Sequence, residues 1–264
     1  MDANRHDAWQ AGDSYDAYMG RWSRQIAPLF LDWLDPAPGL DWLEVGCGTG
    51  ALSAAILARC DPASLLAVDP SEGFVARARA NVPDPRATFR VGDAQALEAA
   101  DASRDMVASA LVLNFVPDRK KALAEMKRVA RGTVAFYVWD YPGGGVEFMR
   151  AFWTAATALD PEARDLTEDR RFPFCTPEGL TALAKGAGLG PVACEAIEAP
   201  TVFRDFDDLW RPFTLGAGPA PGYCVKLAPE ARERLRLRLR DSLPVRADGT
   251  IPLKVRAWAV RAPA

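Results

Sequence analysis

Three glycines at alternate positions follow a short apolar run near residue 45, and they constrain the fold more than any other feature. The run Asp41–Val45 leads into Gly46, Gly48 and Gly50, and a helical pattern, Ala51–Arg59, comes next. Glycine loses more backbone entropy on folding than other residues, so it is expected where the backbone turns sharply or approaches another group closely. A glycine turn between strand and helix indicates a ligand site at the carboxyl end of an α/β sheet.

Strand-like and helical segments alternate on both sides of this turn. The apolar or β-branched runs that predict strands are Asp41–Val45, Ser64–Asp69, Ala87–Val91, Asp105–Leu111 and Thr133–Trp139. The helix-forming segments between them are Ala51–Arg59, Glu72–Asn81 and Lys120–Arg131. Such alternation predicts βαβ units and a parallel sheet with right-handed crossovers.

The segments that flank this region follow other patterns. Before it, the apolar residues of Trp22–Leu34 fit one face of a helix that contains Pro28. After Tyr141, the run Pro-Gly-Gly-Gly predicts a flexible break. The later predicted elements are the helices Val146–Leu159, one capped by Thr176 with Pro177 at its first position, and Pro229–Leu243, and the long strands Val192–Phe203 and Ile251–Arg261.

Composition excludes several classes of function. The chain has 264 residues and a net charge of −3, which disfavours binding to bulk nucleic acid or anionic membranes. The acids Glu230, Glu233 and Asp241 are interleaved with the arginines of Pro229–Leu243, which favours a solvated helix face over a nucleic-acid patch. No apolar stretch approaches the roughly 20 residues of a membrane span. The N-terminus shows no signal peptide, so we expect a cytoplasmic protein.

Cysteine and histidine usage gives little support for metal chemistry. The five cysteines are scattered and form no close pair, which predicts neither a disulfide framework nor a zinc site. Arsenic methylation by Cys175, Cys194 and Cys224 is disfavoured, because buried structural cysteine is the common case. The one histidine, His6, lies in the polar N-terminal segment, so we expect no histidine base and no metal.

Three acids stand at the carboxyl ends of successive predicted strands. Glu44 precedes the glycine turn by two residues, Asp69 ends the second strand, and Asp93 follows the third. A carboxylate at the position of Asp69 can accept both hydroxyls of a ribose. Asp93 could accept a hydrogen bond from an adenine amino group. Any one of these acids could merely cap the next helix, but three in succession favour a nucleoside site.

With these residues in view, the chain resembles the class I S-adenosylmethionine-dependent methyltransferases over Tyr15–Tyr141. The first family motif stands as Glu44-Val45-Gly46-Cys47-Gly48-Thr49-Gly50, the second as Val68-Asp69-Pro70-Ser71 and the third as Gly92-Asp93-Ala94. One departure is that the Pro-Gly-Gly usual before the fifth strand is reduced to Arg131-Gly132-Thr133.

The resemblance implies a fold and a division of the chain. The expected fold is α/β: a Rossmann-like, seven-stranded, mostly parallel sheet with an antiparallel last strand and helices on both faces. The expected parts are an N-terminal helical lid (1–35), a cofactor-binding core (36–141), and substrate-cap helices, an insertion and the final two strands (142–264).

The resemblance also implies a cofactor and its site. S-adenosylmethionine is expected to bind and to leave as S-adenosylhomocysteine, with Tyr15 and Arg21 of the lid at the methionine end, where a guanidinium can hold the carboxylate. A surface salt bridge is the alternative for Arg21. The residues expected at the cofactor are Tyr15, Arg21, Glu44, Gly46, Cys47, Gly48, Asp69, Pro70, Asp93, Ala94 and Leu111.

The expected activity is methyl transfer to an O, N or C atom of a small apolar or aromatic molecule. Asp140 and Tyr141, after the fifth strand, are the candidate catalytic residues, although Asp140 could instead bond the backbone of its own turn. The predicted substrate-binding residues are Tyr18, Trp22, Asn114, Trp139, Trp153 and Trp210, and further candidate aromatic walls are Phe152, Phe213 and Tyr223. Ordinary core packing is the alternative for each aromatic.

Two other classes of function share parts of this pattern. A nicotinamide-dependent oxidoreductase would have the glycine turn, but it would leave Asp93 unexplained, and no Tyr-Lys pair or core histidine stands out. A non-catalytic module on a methyltransferase scaffold is disfavoured by the intact acids and glycines. The sequence leaves a homodimer open and predicts a small-molecule partner, with no nucleic acid and no membrane.

Overall fold

A computed structural model describes residues 16–216 and 218–264 of the chain. Tyr15, one of the residues expected at the cofactor, lies outside them. The described chain begins with one π-helical turn, Asp16–Gly20, which leads directly into the first α-helix.

The centre of the fold is a seven-stranded sheet. Its strands are β1 Asp41–Val45, β2 Ser64–Asp69, β3 Ala87–Val91, β4 Arg104–Ala110, β5 Ala130–Trp139, β6 Ala193–Phe203 and β7 Ile251–Pro263. Their order across the sheet is β3-β2-β1-β4-β5-β7-β6. Neighbours from β3 to β5 are parallel, whereas β7 runs antiparallel to β5. The predicted mostly parallel sheet with antiparallel final strand is thereby confirmed.

Helices connect the strands. Their bounds are α1 Arg21–Leu34, α2 Ala51–Arg59, α3 Glu72–Asn81, α4 Arg119–Val129, α5 Glu147–Leu159, α6 Glu168–Arg171, α7 Pro177–Gly186, α8 Phe206–Trp210, α9 Pro219–Lys226 and α10 Pro229–Asp241. Helices α8 to α10 stand between β6 and β7, as the predicted insertion requires. Pro28 lies inside α1, where its missing N–H removes one helical hydrogen bond.

Side-chain caps fix where several helices begin. The side chain of Ser71 accepts a hydrogen bond from the Phe74 N–H at the start of α3, and Thr176 does the same for the Gly179 N–H at the start of α7. Such a cap pairs an N–H that has no partner within the helix, and losing it costs about 1 kcal/mol. The predicted cap at Thr176 is confirmed.

Strand β5 begins three residues earlier than predicted. The sequence indicated Thr133 as its start, but Ala130 already pairs with Arg104 of β4. Gly132 makes this possible, because a Cβ there would lie only 2.5 Å from the Asp105 carbonyl oxygen. The shortened Arg131-Gly132-Thr133 segment is therefore part of a strand at a point of close backbone approach.

The chain divides into two compact units. The first, called the helical unit, comprises the described residues up to Trp22, Asp140–Pro173 and Glu198–Arg256; the second, called the sheet unit, comprises Ser23–Trp139, Phe174–Ile197 and Ala257–Ala264. The three-part division at residues 35 and 141 stays a prediction.

Candidate active site

The glycine turn of the sheet unit joins β1 to α2. Gly46, Gly48 and Gly50 all have positive φ, at +79°, +51° and +92°. This left-handed region costs other L-residues roughly 1–2 kcal/mol, so the backbone of the turn itself favours glycine. Gly50 stands immediately before the first residue of α2.

Packing within the protein accounts for two of these glycines. A Cβ on Gly46 would run into the side chain of Val112, and a Cβ on Gly50 would lie 2.9 Å from Val82 Cγ2. A Cβ on Gly48 would meet no atom within 4 Å. The protein thus crowds Gly46 and Gly50, while the backbone of Gly48 faces open space.

The carboxylate of Asp69 is held beside this turn. Its Oδ2 accepts a hydrogen bond from the Gly48 N–H at 3.0 Å, and its Oδ1 accepts one from the Ser71 N–H at 2.9 Å. Asp69 is buried, which raises its carboxyl pKa, while the two backbone N–H groups act to lower it. Because each carboxylate oxygen has a second lone pair, both oxygens can still accept a hydroxyl group.

Glu44 lies deeper, in β1. Its side chain is buried and its Oε2 accepts a hydrogen bond from the Ser53 hydroxyl of α2. Burial raises the pKa of Glu44 to about 8, the nearby charge of Asp69 adds to this, and the Ser53 hydrogen bond opposes it. In the described structure Glu44 therefore connects β1 to α2.

The other predicted cofactor residues of the sheet unit are placed around the strand ends. Asp93 is exposed after β3, and its Oδ1 accepts a hydrogen bond of 2.8 Å from the Gln95 N–H. Ala94, Cys47 and Leu111 are buried and Pro70 is exposed. Leu111 has a positive φ of +61° directly after β4, an uncommon conformation for a residue with a branched side chain.

Two predicted substrate residues also belong to the sheet unit. Asn114 lies in a 3₁₀ turn, Leu113–Phe115, where it is buried; its Nδ2 has no hydrogen-bond partner among the described residues. Trp139 is the last residue of β5, is buried, and pairs with Ala257 of β7.

In the helical unit, Arg21 forms an ion pair with Asp208. Its Nη1 donates to Asp208 Oδ1 and Oδ2 at 3.1 and 3.2 Å. The guanidinium also lies over the rings of Trp22 and Phe203, with its Cζ 4.2 and 4.6 Å from their centroids. Arg21 therefore forms a salt bridge, which was the alternative for this residue. Its predicted contact with the carboxylate of the cofactor stays a prediction.

Most of the predicted aromatic walls pack against one another within the helical unit. Tyr18 lies edge-on to Phe213 at 5.5 Å between centroids, and Phe213 stacks on Phe152 at 4.3 Å. Trp22 and Trp210 are buried in the same unit. Core packing accounts for these side chains, and their contact with substrate stays a prediction.

Asp140 organises the turn that follows β5. Its Oδ1 accepts the Gly143 N–H at 2.8 Å, and its Oδ2 accepts from Arg256 Nε and Nη2 at 2.7 and 2.6 Å. A Cβ on Gly145 would lie 2.9 Å from both Asp140 Cβ and Arg256 Cβ. The Pro-Gly-Gly-Gly run, predicted as a flexible break, is thus a turn in which glycines make room for the ion pair of buried Asp140 with partly exposed Arg256.

A cleft of about 230 Å³ opens beside this turn, within the helical unit. Tyr141 and Trp153 line it, and so does Glu168, the first residue of α6. The Trp153 Nε1–H donates a hydrogen bond of 2.5 Å to Glu168 Oε2. Burial raises the pKa of Glu168 to about 7, with its hydrogen bonds and the charge of Arg171 opposing the rise and Asp169 adding to it.

Comparison with known proteins gives the family of the chain. Residues 43–138 match the profile of a family described as a methyltransferase domain. The malonyl-[acyl-carrier protein] O-methyltransferase of Herminiimonas arsenicoxydans is 28% identical over 251 residues, which are 92% of this chain and 88% of the relative. The ubiquinone/menaquinone biosynthesis C-methyltransferase of Dinoroseobacter shibae is 29% identical over 67% of this chain and 77% of its own. The chain belongs to the class I S-adenosylmethionine-dependent methyltransferases.

A solved structure supports the same fold for this methyltransferase. The phosphoethanolamine N-methyltransferase 2 of Haemonchus contortus, determined with S-adenosylhomocysteine, matches 99% of this chain and 58% of its own with a TM-score of 0.57 at 17% identity. The expected enzyme class and the expected cofactor, S-adenosylmethionine, are confirmed, and the oxidoreductase alternative is not supported.

The residues of the sheet unit fit this cofactor. Gly48 leaves open space beside the backbone, and Asp69 offers two oriented oxygens next to it. The buried, unpaired Nδ2 of Asn114 is a further donor in the described part of this unit. Which of these atoms contact the cofactor stays a prediction.

The sequence did not single out Glu168 of the methyltransferase. It stands in a charged segment with Glu162, Asp165 and Asp169, and no periodicity marks which of these acids is buried. Only the tertiary contact with Trp153, 15 residues away, distinguishes it.

The structure also describes the cysteines, the groups that could bind a metal ion and the lengths of the helices. All five cysteines are free thiols, and only Cys194 is not fully buried. Among residues 16–216 and 218–264, no cluster of three or more His, Cys, Asp or Glu is arranged to hold a metal ion. In the same part of the chain, none of the helices has the length and apolar character that a bilayer span requires.

Proposed function

We propose that the methyltransferase transfers the methyl group to an O, N or C atom of a small, apolar or aromatic molecule. The observation that carries this proposal is the cleft of about 230 Å³ in the helical unit. Its volume is slightly below the roughly 300–1,000 Å³ typical of drug-sized ligands, so it suits a molecule of one or two rings. Trp153 and Tyr141 supply aromatic walls, and polar side chains, among them Thr154, Thr157 and Glu168, form much of the remaining lining.

The sheet unit supplies the proposed cofactor site. Asp69 would accept hydrogen bonds from the ribose hydroxyls, and the backbone at Gly48 would lie against the cofactor. Asp93 would accept a hydrogen bond from the adenine amino group. The bound cofactor supplies a methyl group that its positively charged sulfur already activates. The protein's contribution is then to orient the acceptor and exclude water, which can lower the barrier by roughly 7–11 kcal/mol.

Surface charge supports a small acceptor over a nucleic acid. The arginines of α10 are partly neutralised: Arg236 pairs with Glu233 and Asp207 at 3.3 and 3.4 Å, and Arg240 with Asp241 at 3.3 Å. A nucleic-acid site would need a surface of unpaired positive charge, because phosphate contacts provide most of its affinity.

The names of the relatives do not select the acceptor atom. One relative is named as an O-methyltransferase acting on a carrier-bound malonyl group and another as a C-methyltransferase of quinone biosynthesis. Both kinds of acceptor therefore belong in the test of the proposal.

Transfer of labelled methyl groups tests the proposal. The protein is incubated with S-adenosylmethionine carrying a labelled methyl group and, in separate reactions, with small phenols, aromatic amines and quinols, malonyl-loaded acyl carrier protein, bulk RNA, bulk DNA or bulk protein. We expect label in a small molecule, and none when Gly48→Asn replaces the wild type. Faster labelling of nucleic acid, of bulk protein or of malonyl-loaded acyl carrier protein than of every small molecule would contradict the proposal.

A further inference from the structure

One oxygen of Glu168 is buried beside the cleft without a partner. Glu168 is only 4% exposed. Its Oε2 accepts the Trp153 Nε1–H, while its Oε1 has no hydrogen-bond partner among the described residues. Glu168 and Trp153 both line the cleft, so their hydrogen bond lies in its wall.

Such an oxygen is costly for the folded protein. Leaving a buried polar atom unpaired costs about 1–3 kcal/mol, and more when the group is charged. Replacing Glu168 with glutamine or an apolar residue would remove the part of this cost that comes from burying a charge. A ligand that donates a hydrogen bond to Oε1 would instead offset the cost when it binds, so the unpaired oxygen points to a donor on the ligand.

The charges around the cleft indicate which ligands it would reject. Its arginines are engaged with other acids: Arg164 pairs with Asp169 at 2.8 Å and Arg150 with Glu147 at 3.8 Å. Both arginine side chains are more than half exposed, at 58% and 59%, so water screens them more than it screens Glu168. Arg171, whose charge also acts on Glu168, is not among the residues that line the cleft. A ligand carboxylate in the cleft would therefore meet the buried Glu168 charge in its wall.

We propose that Glu168 is the specificity residue of this cleft: its Oε1 accepts a hydrogen bond from an N–H or O–H group of a small aromatic or apolar acceptor, and its charge rejects acceptors that carry a carboxylate. This inference rests on the proposed function, because it takes the cleft as the site of the methyl acceptor. The raised pKa of Glu168, about 7, means that the group is mostly ionised above pH 8.

The test uses three one-ring probes that differ in one group: phenol, anisole and benzoate. Binding is followed at pH 8.5 by the indole N–H resonance of Trp153, which is assigned from its loss in Trp153→Phe. The proteins are the wild type, Glu168→Gln and the matched control Glu162→Gln. Glu162 is an exposed acid six residues away, so its variant makes the same charge change outside the cleft.

For the wild type and Glu162→Gln, we expect phenol to shift the Trp153 resonance at a concentration at least five times lower than anisole or benzoate does. In Glu168→Gln, the preference for phenol over benzoate should vanish or reverse, because an amide can donate to a carboxylate. A preference for phenol over benzoate that is retained in Glu168→Gln, or a Trp153 resonance that responds to none of the probes in the wild type, would overturn the proposal.

Calorimetry with S-adenosylhomocysteine separates this proposal from the proposed function. Glu168→Gln should bind S-adenosylhomocysteine like the wild type, which shows that the variant is folded. Phenol binding that depends on Glu168, together with no methyl transfer to any small molecule, would refute the proposed function and leave the ligand specificity of the cleft intact.

Discussion

The backbone N–H of Gly48 donates a hydrogen bond to Asp69 Oδ2 at 3.0 Å, which ties the glycine turn after β1 to the end of β2. The three glycines of this turn, which look equivalent in the sequence, have different roles in the structure. Gly46 and Gly50 make room for Val112 and Val82, and Gly48 leaves its backbone open beside a carboxylate. Substitutions at the three positions should therefore fail in different ways.

Gly46→Ala should lower the stability of the fold. The new methyl group would collide with Val112, and Ala would be strained at a φ of +79°. We expect a loss of about 2 kcal/mol or more in the free energy of unfolding, measured by urea denaturation.

Gly39→Ala is the matched control for this substitution, because Gly39 has a similar φ of +76° but open space around it. It should show the cost of backbone strain alone. Val112→Ala combined with Gly46→Ala should recover part of the stability. Equal losses for Gly46→Ala and Gly39→Ala would mean that the collision with Val112 is relieved at no cost.

Glu168→Gln should stabilise the protein at high pH. The folded pKa of Glu168 is about 7 against 4.5 for the free group, so the folded state binds more protons between these values. Stability from this group is therefore lost as pH rises from about 4.5 to 7. Above pH 7 the variant should be more stable than the wild type by up to about 3 kcal/mol, since one pKa unit corresponds to about 1.4 kcal/mol.

Below pH 4.5 the difference between Glu168→Gln and the wild type should disappear, because Glu168 is then neutral in both states. The groups whose charges act on Glu168 are Arg171 and Asp169, and the phenol of Tyr18 feels the Glu168 charge in turn. These groups stay in both proteins, so the difference reports on Glu168. A difference that is independent of pH between 4.5 and 8, measured by chemical denaturation, would show that Glu168 has an ordinary pKa.

The Arg21–Asp208 pair should appear as a coupling energy. Its side chains are 29% and 15% exposed, and the guanidinium contacts both carboxylate oxygens. A double-mutant cycle with Arg21→Ala and Asp208→Asn should give about 1 kcal/mol of coupling in the free energy of unfolding. Additive single effects would show that the pair contributes nothing.

The same Arg21→Ala variant tests the predicted contact of Arg21 with the cofactor carboxylate. S-adenosylhomocysteine carries that carboxylate and adenosine does not. If Arg21 binds it, the variant should lose more affinity for S-adenosylhomocysteine than for adenosine in calorimetry. Equal losses would leave the salt bridge as the role of Arg21.

Asp140→Asn should mainly affect stability. The carboxylate of Asp140 is buried and holds both Arg256 and the Gly143 N–H. Breaking a buried ion pair typically costs about 3–5 kcal/mol, and we expect a loss toward the lower end because Arg256 remains partly exposed. A variant of wild-type stability with a strongly reduced rate of methyl transfer would support the predicted catalytic role instead.

Local sequence patterns were sufficient to predict the strands whose ends are marked by adjacent residues in the chain. The bounds of β1, β2 and β3 were predicted correctly, because each is a short apolar run closed by Gly, Pro or Asp. The start of β5 was not, because Ala130 and Arg131 continue the helical pattern Lys120–Arg131 and Gly132 follows them.

The candidate site divides in the same way. Asp69 follows from its position at a strand end, which any βαβ sheet brings to one edge. The Asp140–Arg256 and Arg21–Asp208 pairs join residues 116 and 187 positions apart, and the sequence carries no local signal for them. Glu168 belongs to this second group, since its burial and its hydrogen bond with Trp153, 15 residues away, arise only in the folded chain.

Binding of S-adenosylhomocysteine to the wild type and to variants of the Gly48–Asp69 contact tests the central claim most directly. Asp69→Asn removes one acceptor oxygen, and Gly48→Asn adds a side chain that tolerates the left-handed backbone. Asp101→Asn, which alters an exposed acid of the sheet unit, is the control. We predict micromolar binding for the wild type and control, and at least about tenfold weaker binding for both variants, as expected when a charge-assisted hydrogen bond worth about 1.5–3 kcal/mol is lost. Unchanged affinity in folded Asp69→Asn and Gly48→Asn would show that the cofactor binds elsewhere.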